Sequence, residues 1–280
     1  MNLSPPISQF DFADSTPVSE PAPLGLAKVM AITSGKGGVG KTFFSANLAC
    51  ALAKRGQRVL VVDADLGLAN LDVVLNLHPK VTLHDVFAGT AKLESAIVRT
   101  KGEFDAILAG SGKVEFSQLT PQMRDGFLSL MDQVHDQYDV ILLDTGAGIS
   151  DVVLFAISLA SEVLVLTTPE PTALTDAYAT LKVLFTEQQR KLIRLVVNQT
   201  TRLGDGRAIT TQLQQVLDRF VLTEPGQVMR LHHWGDIPAD PSVRQAIMRR
   251  QLLMQVGPGC PSGRAIAALA LKLEETVLKR

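Results

Sequence analysis

Residues 33–44 read TSGKGGVGKTFF, which packs four glycines, two lysines and two threonines into one short stretch. Gly35-Lys36-Gly37-Gly38-Val39-Gly40-Lys41-Thr42 follows a β-branched run and opens a helical one, the context in which a glycine-rich loop grips phosphate. The glycines let backbone N–H groups curl around phosphate oxygens, and the helix start adds its positive end. Lys41 stands where a lysine meets β- and γ-phosphates, and Thr42 where a hydroxyl ligates Mg²⁺. Lys36 is a second cation that such a loop does not itself require. Carboxylates of the right kind follow. Val59-Leu60-Val61-Val62-Asp63-Ala64-Asp65 is a buried-type strand ending in two acids, and Val140-Ile141-Leu142-Leu143-Asp144 is another ending in one. Asp144 suits Mg²⁺ through water, and Asp65 suits the orientation or deprotonation of an attacking water.

These groups need a scaffold that brings strand ends to one edge. Strands are expected at Val29–Thr33, Val59–Asp63, Asp105–Ala109, Val140–Asp144, Val163–Thr167, Leu192–Val197 and Gln227–Leu231. Helical stretches lie between them at Thr42–Lys54, Gln122–His135, Ser150–Ala160, Leu174–Phe185 and Thr210–Phe220. Strands apolar throughout belong in a sheet covered on both faces. The fold expected is therefore α/β, a doubly wound, mostly parallel sheet flanked by helices, with ligands at the strands' carboxyl ends. Residues 28–280 are expected to form one such domain behind a tail of residues 1–27.

The chain of 280 residues is 46% hydrophobic and 20% charged, with a net charge of −1, which suits a globular protein and gives no bulk attraction to polyanions. Its longest apolar runs, Val152–Ile157 and Ala265–Leu271, are far shorter than a membrane span. Cys50 and Cys260 make neither a disulfide framework nor a cluster motif, and a reducing cytoplasm is the expected compartment. The tail has no Lys or Arg, five prolines and the acids Asp11, Asp14 and Glu20, so it is no secretory signal. Its composition fits a loose segment, with Ile7–Phe12 as a candidate docking stretch.

KGGVGKT, with its early lysine, resembles the deviant phosphate loop of the MinD/ParA class of ATPases. VVDADLGLANLDVVLNL (61–77), LLDTGAGIS (142–150) and TPEPTALTDAYA (168–179) are similar to the flagellar FlhG branch of that class, also called YlxH or FleN. The resemblance covers about residues 28–275. It implies an ATP- and Mg²⁺-dependent hydrolase that dimerises around nucleotide, with Lys36 reaching the partner's phosphates. Asn198 then becomes the adenine reader, and Ile237-Pro238-Ala239-Asp240-Pro241 the loop that closes over the base, with Pro238 and Asp240 in it. Implied partners are a second copy of the chain and components of the flagellar switch ring or a flagellar regulator.

Departures qualify that expectation. Phe43 replaces a small polar residue after the threonine, which removes a hydroxyl contact to the α-phosphate, while Phe44 is expected in the core. Ile266, Leu269, Ala270, Leu273 and Val277 form a stripe that suits a last core helix better than a membrane-seeking one. The tail lacks the DQAxxLR motif associated with stimulating the GTPase FlhF. Arg244, Arg249 and Arg250, placed on the helix after Pro241, are either a solvated face or a DNA-facing patch, and three arginines supply only a modest phosphate attraction. His232-His233-Trp234 is expected at the end of a strand rather than in a metal site. The competing function is a partition ATPase that positions DNA or protein cargo.

Overall fold

The computed structural model describes residues 26–110, 118–224 and 226–279. The expected tail falls outside these residues except for Leu26 and Ala27. Eight strands of the described residues form one sheet in the order β3-β4-β2-β5-β1-β6-β7-β8. They are β1 (Lys28–Ser34), β2 (Val59–Ala64), β3 (Ile97–Arg99), β4 (Asp105–Ile107), β5 (Val140–Ala147), β6 (Glu162–Thr167), β7 (Leu192–Thr200) and β8 (Arg230–Pro238). All neighbours pair parallel except β3 and β4. The order runs outward from β1 in both directions, so the carboxyl ends flanking β1 open a crevice where ligands bind in such sheets.

Alternate residues of each central strand feed different cores. Val29 and Ala31 belong to one apolar cluster, and Met30 and Ile32 to the other. On the first face pack α3 (Leu83–Phe87), α5 (Pro121–Val134), α6 (Asp151–Ser158), α7 (Pro171–Thr186) and α8 (Asp205–Phe220). On the second pack α1 (Lys41–Ala53), α2 (Leu71–Leu75), α9 (Pro241–Met248), α10 (Leu253–Val256) and α11 (Pro261–Leu273). A further short helix, α4 (Leu93–Ala96), leads into β3. Burial on both faces explains why the strands read as continuous apolar runs rather than alternating ones.

Several expectations shift. β3 was not expected, because three residues carry no period to detect. The last strand begins at Arg230 rather than Gln227 and runs through His232-His233-Trp234 to Pro238, so this triplet is mid-strand. Trp234 is buried there beneath the Arg194 guanidinium, 4.6 Å from its ring centre, and His233 Nε2 pairs with Asp236 Oδ1 at 2.8 Å. Polar side chains at those positions hid the strand, because their partners come from distant segments. α9 ends at Met248, so only Arg244 lies on it. Arg249 is the C-cap, and Arg250 has a left-handed φ of 51° that turns the chain to bury Leu252. Ile266, Leu269, Ala270, Leu273 and Val277 are all buried, as expected of a last core helix that continues into a π-helical turn at Glu274–Leu278. Among the described residues no helix is long and apolar enough to cross a membrane.

Asp240 ties the second face together. Its Oδ1 accepts from Ser242 N at 2.9 Å, which caps α9, and its Oδ2 accepts from Ser262 N at 3.1 Å in the first turn of α11. Burial opposes ionisation of Asp240, but these backbone bonds outweigh it and bring the carboxyl down to about 2. Asp240→Ala is therefore expected to cost about 1–2 kcal/mol, the usual range for a lost cap. Because the folded value is depressed, this contribution is complete above about pH 4 and fades as pH falls toward 2. Urea midpoints of the two proteins should converge over that window.

Candidate nucleotide site

The loop from Gly35 to Gly40 joins β1 to α1 at the sheet's carboxyl edge. Two of its positions have no room for a side chain. A Cβ on Gly35 would stand 2.1 Å from the Asp176 carbonyl oxygen, so the α7 backbone closes directly on the loop. Gly40, the N-cap of α1, has a φ of 97°, and a Cβ there would meet Asn198 Nδ2 at 2.7 Å.

Lys41 opens α1 and is buried, with Nζ donating to Ser34 Oγ at 2.9 Å. Burial lowers its affinity for a proton, and the charges of Asp144 and Asp65 oppose that shift. Asp144, in the second half of β5, is also buried and near enough for its charge to act on Lys41. Burial pushes the Asp144 carboxyl up to about 6, although hydrogen bonds from Thr42 and Ser45 and the charge of Lys41 favour ionisation. The Ser45 bond measures 2.9 Å. Asp63, in register with Asp144 on the neighbouring strand, is likewise buried, and desolvation followed by repulsion from Asp144 raises its carboxyl well above the usual range. Asp63 accepts from Asp65 N at 3.2 Å and Leu71 N at 3.4 Å, which anchors the loop that carries Asp65. Asp65 itself accepts from Leu68 N at 3.1 Å and rests against Gly146, where a Cβ would lie 3.3 Å from its Oδ1.

A cavity of about 430 Å³ unites these elements. Gly37, Gly38, Gly40, Lys41, Thr42, Phe43 and Asp65 line it, together with Asn70 and Gly146. Phe43 thus stands at the wall of the cavity and also packs on the second core, while Phe44 is fully in that core. Val39 and Asp144 are buried and do not line the cavity. The oxygen-only set of Thr42, Asp144 and Asp65 suits a hard divalent cation such as Mg²⁺.

Other candidates are placed differently. Asn198, near the end of β7, donates from Nδ2 to Val39 O at 2.8 Å and accepts from Gln199 N at 2.9 Å. Its amide thus braces the back of the phosphate loop, which leaves one N–H and one lone pair for a base. Pro238 ends β8, and its carbonyl accepts from Ser262 Oγ at 2.8 Å. Neither residue, nor Asp240, lines the 430 Å³ cavity. Lys36 points outward, with Nζ 3.0 Å from Glu170 Oε2 and 2.8 Å from Thr172 Oγ1. Ser34, Ser45 and Asn70 escaped sequence reasoning, and Asp63, read as one of two strand-end acids, was given no role. Ser45 alone carried a signal, since it lies three residues after Thr42 on the same helix face.

Gly35→Ala is expected to destabilise the protein by about 1–3 kcal/mol, as overpacking against backbone does. Gly37→Ala meets nothing within 4 Å and should stay within about 0.5 kcal/mol of the parent. Equal urea midpoints for the two variants would contradict the close approach of α7.

A sequence family described as an AAA domain matches residues 27–196. The antiactivator FleN of Pseudomonas aeruginosa is 38% identical over 88% of this chain and 86% of its own length. The flagellum site-determining protein YlxH of Helicobacter pylori is 32% identical, covering 92% and 82%. The septum site-determining protein MinD of Pyrococcus horikoshii, solved with Mg-ADP, superimposes with a TM-score of 0.72 at 28% identity, covering 89% of this chain and 97% of that one. With its phosphate loop, buried carboxylates and doubly wound sheet, the chain belongs to the MinD/ParA-type family of P-loop ATPases.

Proposed function

We propose that residues 28–280 act as a Mg²⁺-dependent ATPase unit whose ATP-bound form dimerises and whose hydrolysis releases the dimer. The output of this switch is control of flagellar number or placement through partner proteins. The observation that carries the proposal is the division of labour between the two lysines. Lys41 is buried in its own cavity, whereas Lys36 lies outside the lining, half-exposed, in a surface pair with Glu170. An exposed ion pair of this kind is worth about 0.2–1 kcal/mol, so little holds Lys36 in place. Its charge is free to move to the phosphates of a second copy, where negative charge develops during phosphoryl transfer.

Within each copy the loop amides and Lys41 hold the phosphates, Thr42 and Asp144 hold the cation, and Asp65 orients the attacking water. When bound, Mg²⁺ supplies charge neutralisation between phosphates. The flagellar output rests on kinship, since FleN is named an antiactivator and YlxH a flagellum site-determining protein. Lys36→Ala is expected to abolish the ATP-dependent shift to dimer in size exclusion with light scattering, and to slow hydrolysis at least about tenfold. A normal shift and a normal rate would end the proposal.

Acid should oppose the cation. Since burial lifts Asp144 to about 6, from 3.8, a proton competes with Mg²⁺ at pH values below 6. Apparent Mg²⁺ affinity in nucleotide-binding titrations should then fall by up to about tenfold per pH unit there. The empty protein should respond with the opposite sign. Its ionised Asp144 costs stability above pH 6, and that cost fades as pH falls toward 4.

A further inference from the structure

A second surface lies at the opposite, amino edge of the sheet and takes no part in the nucleotide site. The turn between β3 and β4 carries Lys101, and the segment from Arg249 to Val256 packs beside it, joined by Gln255 Nε2 donating to the Lys101 carbonyl. Together they enclose a cavity of about 160 Å³. Its apolar floor includes Leu75 and Leu252, and its rim carries Lys101, Arg249 and Arg250. No acidic residue lines it, and none of the three cations has an ion-pair partner among the described residues. Val256 in the lining is 52% exposed, and Met248, next in the chain to Arg249, is 78% exposed, so apolar surface lies beside the three cations. A volume of this size is below the 300–1,000 Å³ of small-molecule pockets and fits an anchoring side chain instead.

The chain itself contains a segment of matching chemistry. Residues 7–14, Ile-Ser-Gln-Phe-Asp-Phe-Ala-Asp, carry three large apolar side chains and two acids, with Asp11 between Phe10 and Phe12, and residues 1–27 have no Lys or Arg. The described chain starts at Leu26 on this same amino edge, where Ala27 N bonds to His135 O at 2.7 Å. From β1 to β4 the sheet is three strand spacings wide, roughly 14 Å. The eleven residues between Asp14 and Leu26 let those two positions lie up to roughly 40 Å apart when extended, so the segment reaches the pocket with length to spare.

We infer that residues 7–14 dock in cis on this basic pocket, with Phe10 or Phe12 as the anchor and Asp11 and Asp14 facing Lys101, Arg249 and Arg250. Nucleic acid is the weaker occupant. Three cations supply only a small phosphate attraction, the whole chain is slightly acidic, and exposed Met248 and Val256 offer nothing to a phosphate backbone.

Disulfide trapping in the full-length chain tests the assignment. In a Cys260→Ser background, Phe12→Cys is paired with Met248→Cys, or with Leu128→Cys on α5, an exposed position nearer the point where the tail joins the sheet. The expected result is an intramolecular cross-link at residue 248 at least about fivefold faster than at residue 128. Arg249→Glu with Arg250→Glu should erase that difference, and adding Asp11→Lys with Asp14→Lys should restore it. A rescued double charge reversal also shows that the variants fold. Equal rates at both positions would overturn the inference, and duplex DNA binding lost on Arg249→Glu with Arg250→Glu would then assign the surface to nucleic acid. Cross-linking only between molecules would overturn it in favour of a second copy.

Discussion

Bringing Lys41 and Asp144 out of water side by side is the constraint on which the rest of this structure depends. An isolated buried charge costs several kcal/mol, so each needs the other and further hydrogen bonds besides. Ser34 supplies one bond to the lysine, and Thr42 and Ser45 supply bonds to the carboxylate. These partners come from β1, α1 and β5, so the pair forms only when the central strands lie in register and α1 packs over them. Asp63 adds a second buried carboxyl one strand away and ties down the loop that holds Asp65. The site thus gathers carboxyls whose ionisation burial resists, and a divalent cation would favour their charged form.

Backbone proximity does comparable work on the other side of the loop. With the α7 carbonyl pressed on Gly35 and Asn198 against Val39 and Gly40, the phosphate loop is held by β7 and α7 before any phosphate arrives. Holding donors in place beforehand lets a polar site act without reorganising when charge develops. The same helix start carries Glu170 and Thr172, which park Lys36 at the rim. One element therefore braces the loop and occupies its spare cation. A movement of α7 would be felt by both.

Much of the site could be read from one dimension because its parts are local. Gly35 to Thr42 form a single loop, and Asp65 and Asp144 each close an apolar run at the same edge of a parallel sheet. Residues that act through contact with distant segments gave little sign. Ser34, Asp63 and Asn70 look like ordinary strand-end or turn residues until β5 and α2 are packed beside them. Asp240 shows the converse, since a residue placed near the base by kinship is engaged in capping two helices. β8 was misplaced for a related reason. His232 and His233 break the apolar pattern, yet the strand is held by pairing to β7 and by stacking of Arg194 on Trp234.

The sequence by itself determined the class of fold, the phosphate loop and the order in which its acids appear, because strand periodicity, glycine spacing and strand-end carboxylates are local properties of the chain. Only the tertiary structure decided which hydroxyls satisfy Asp144, where Lys36 rests, what Asn198 and Asp240 bond to, and that Lys101, Arg249 and Arg250 surround one pocket. Each of those outcomes joins residues far apart in the chain. Their energies depend on burial and on partners supplied by other strands and helices, and the spacing of residues along a chain does not encode either.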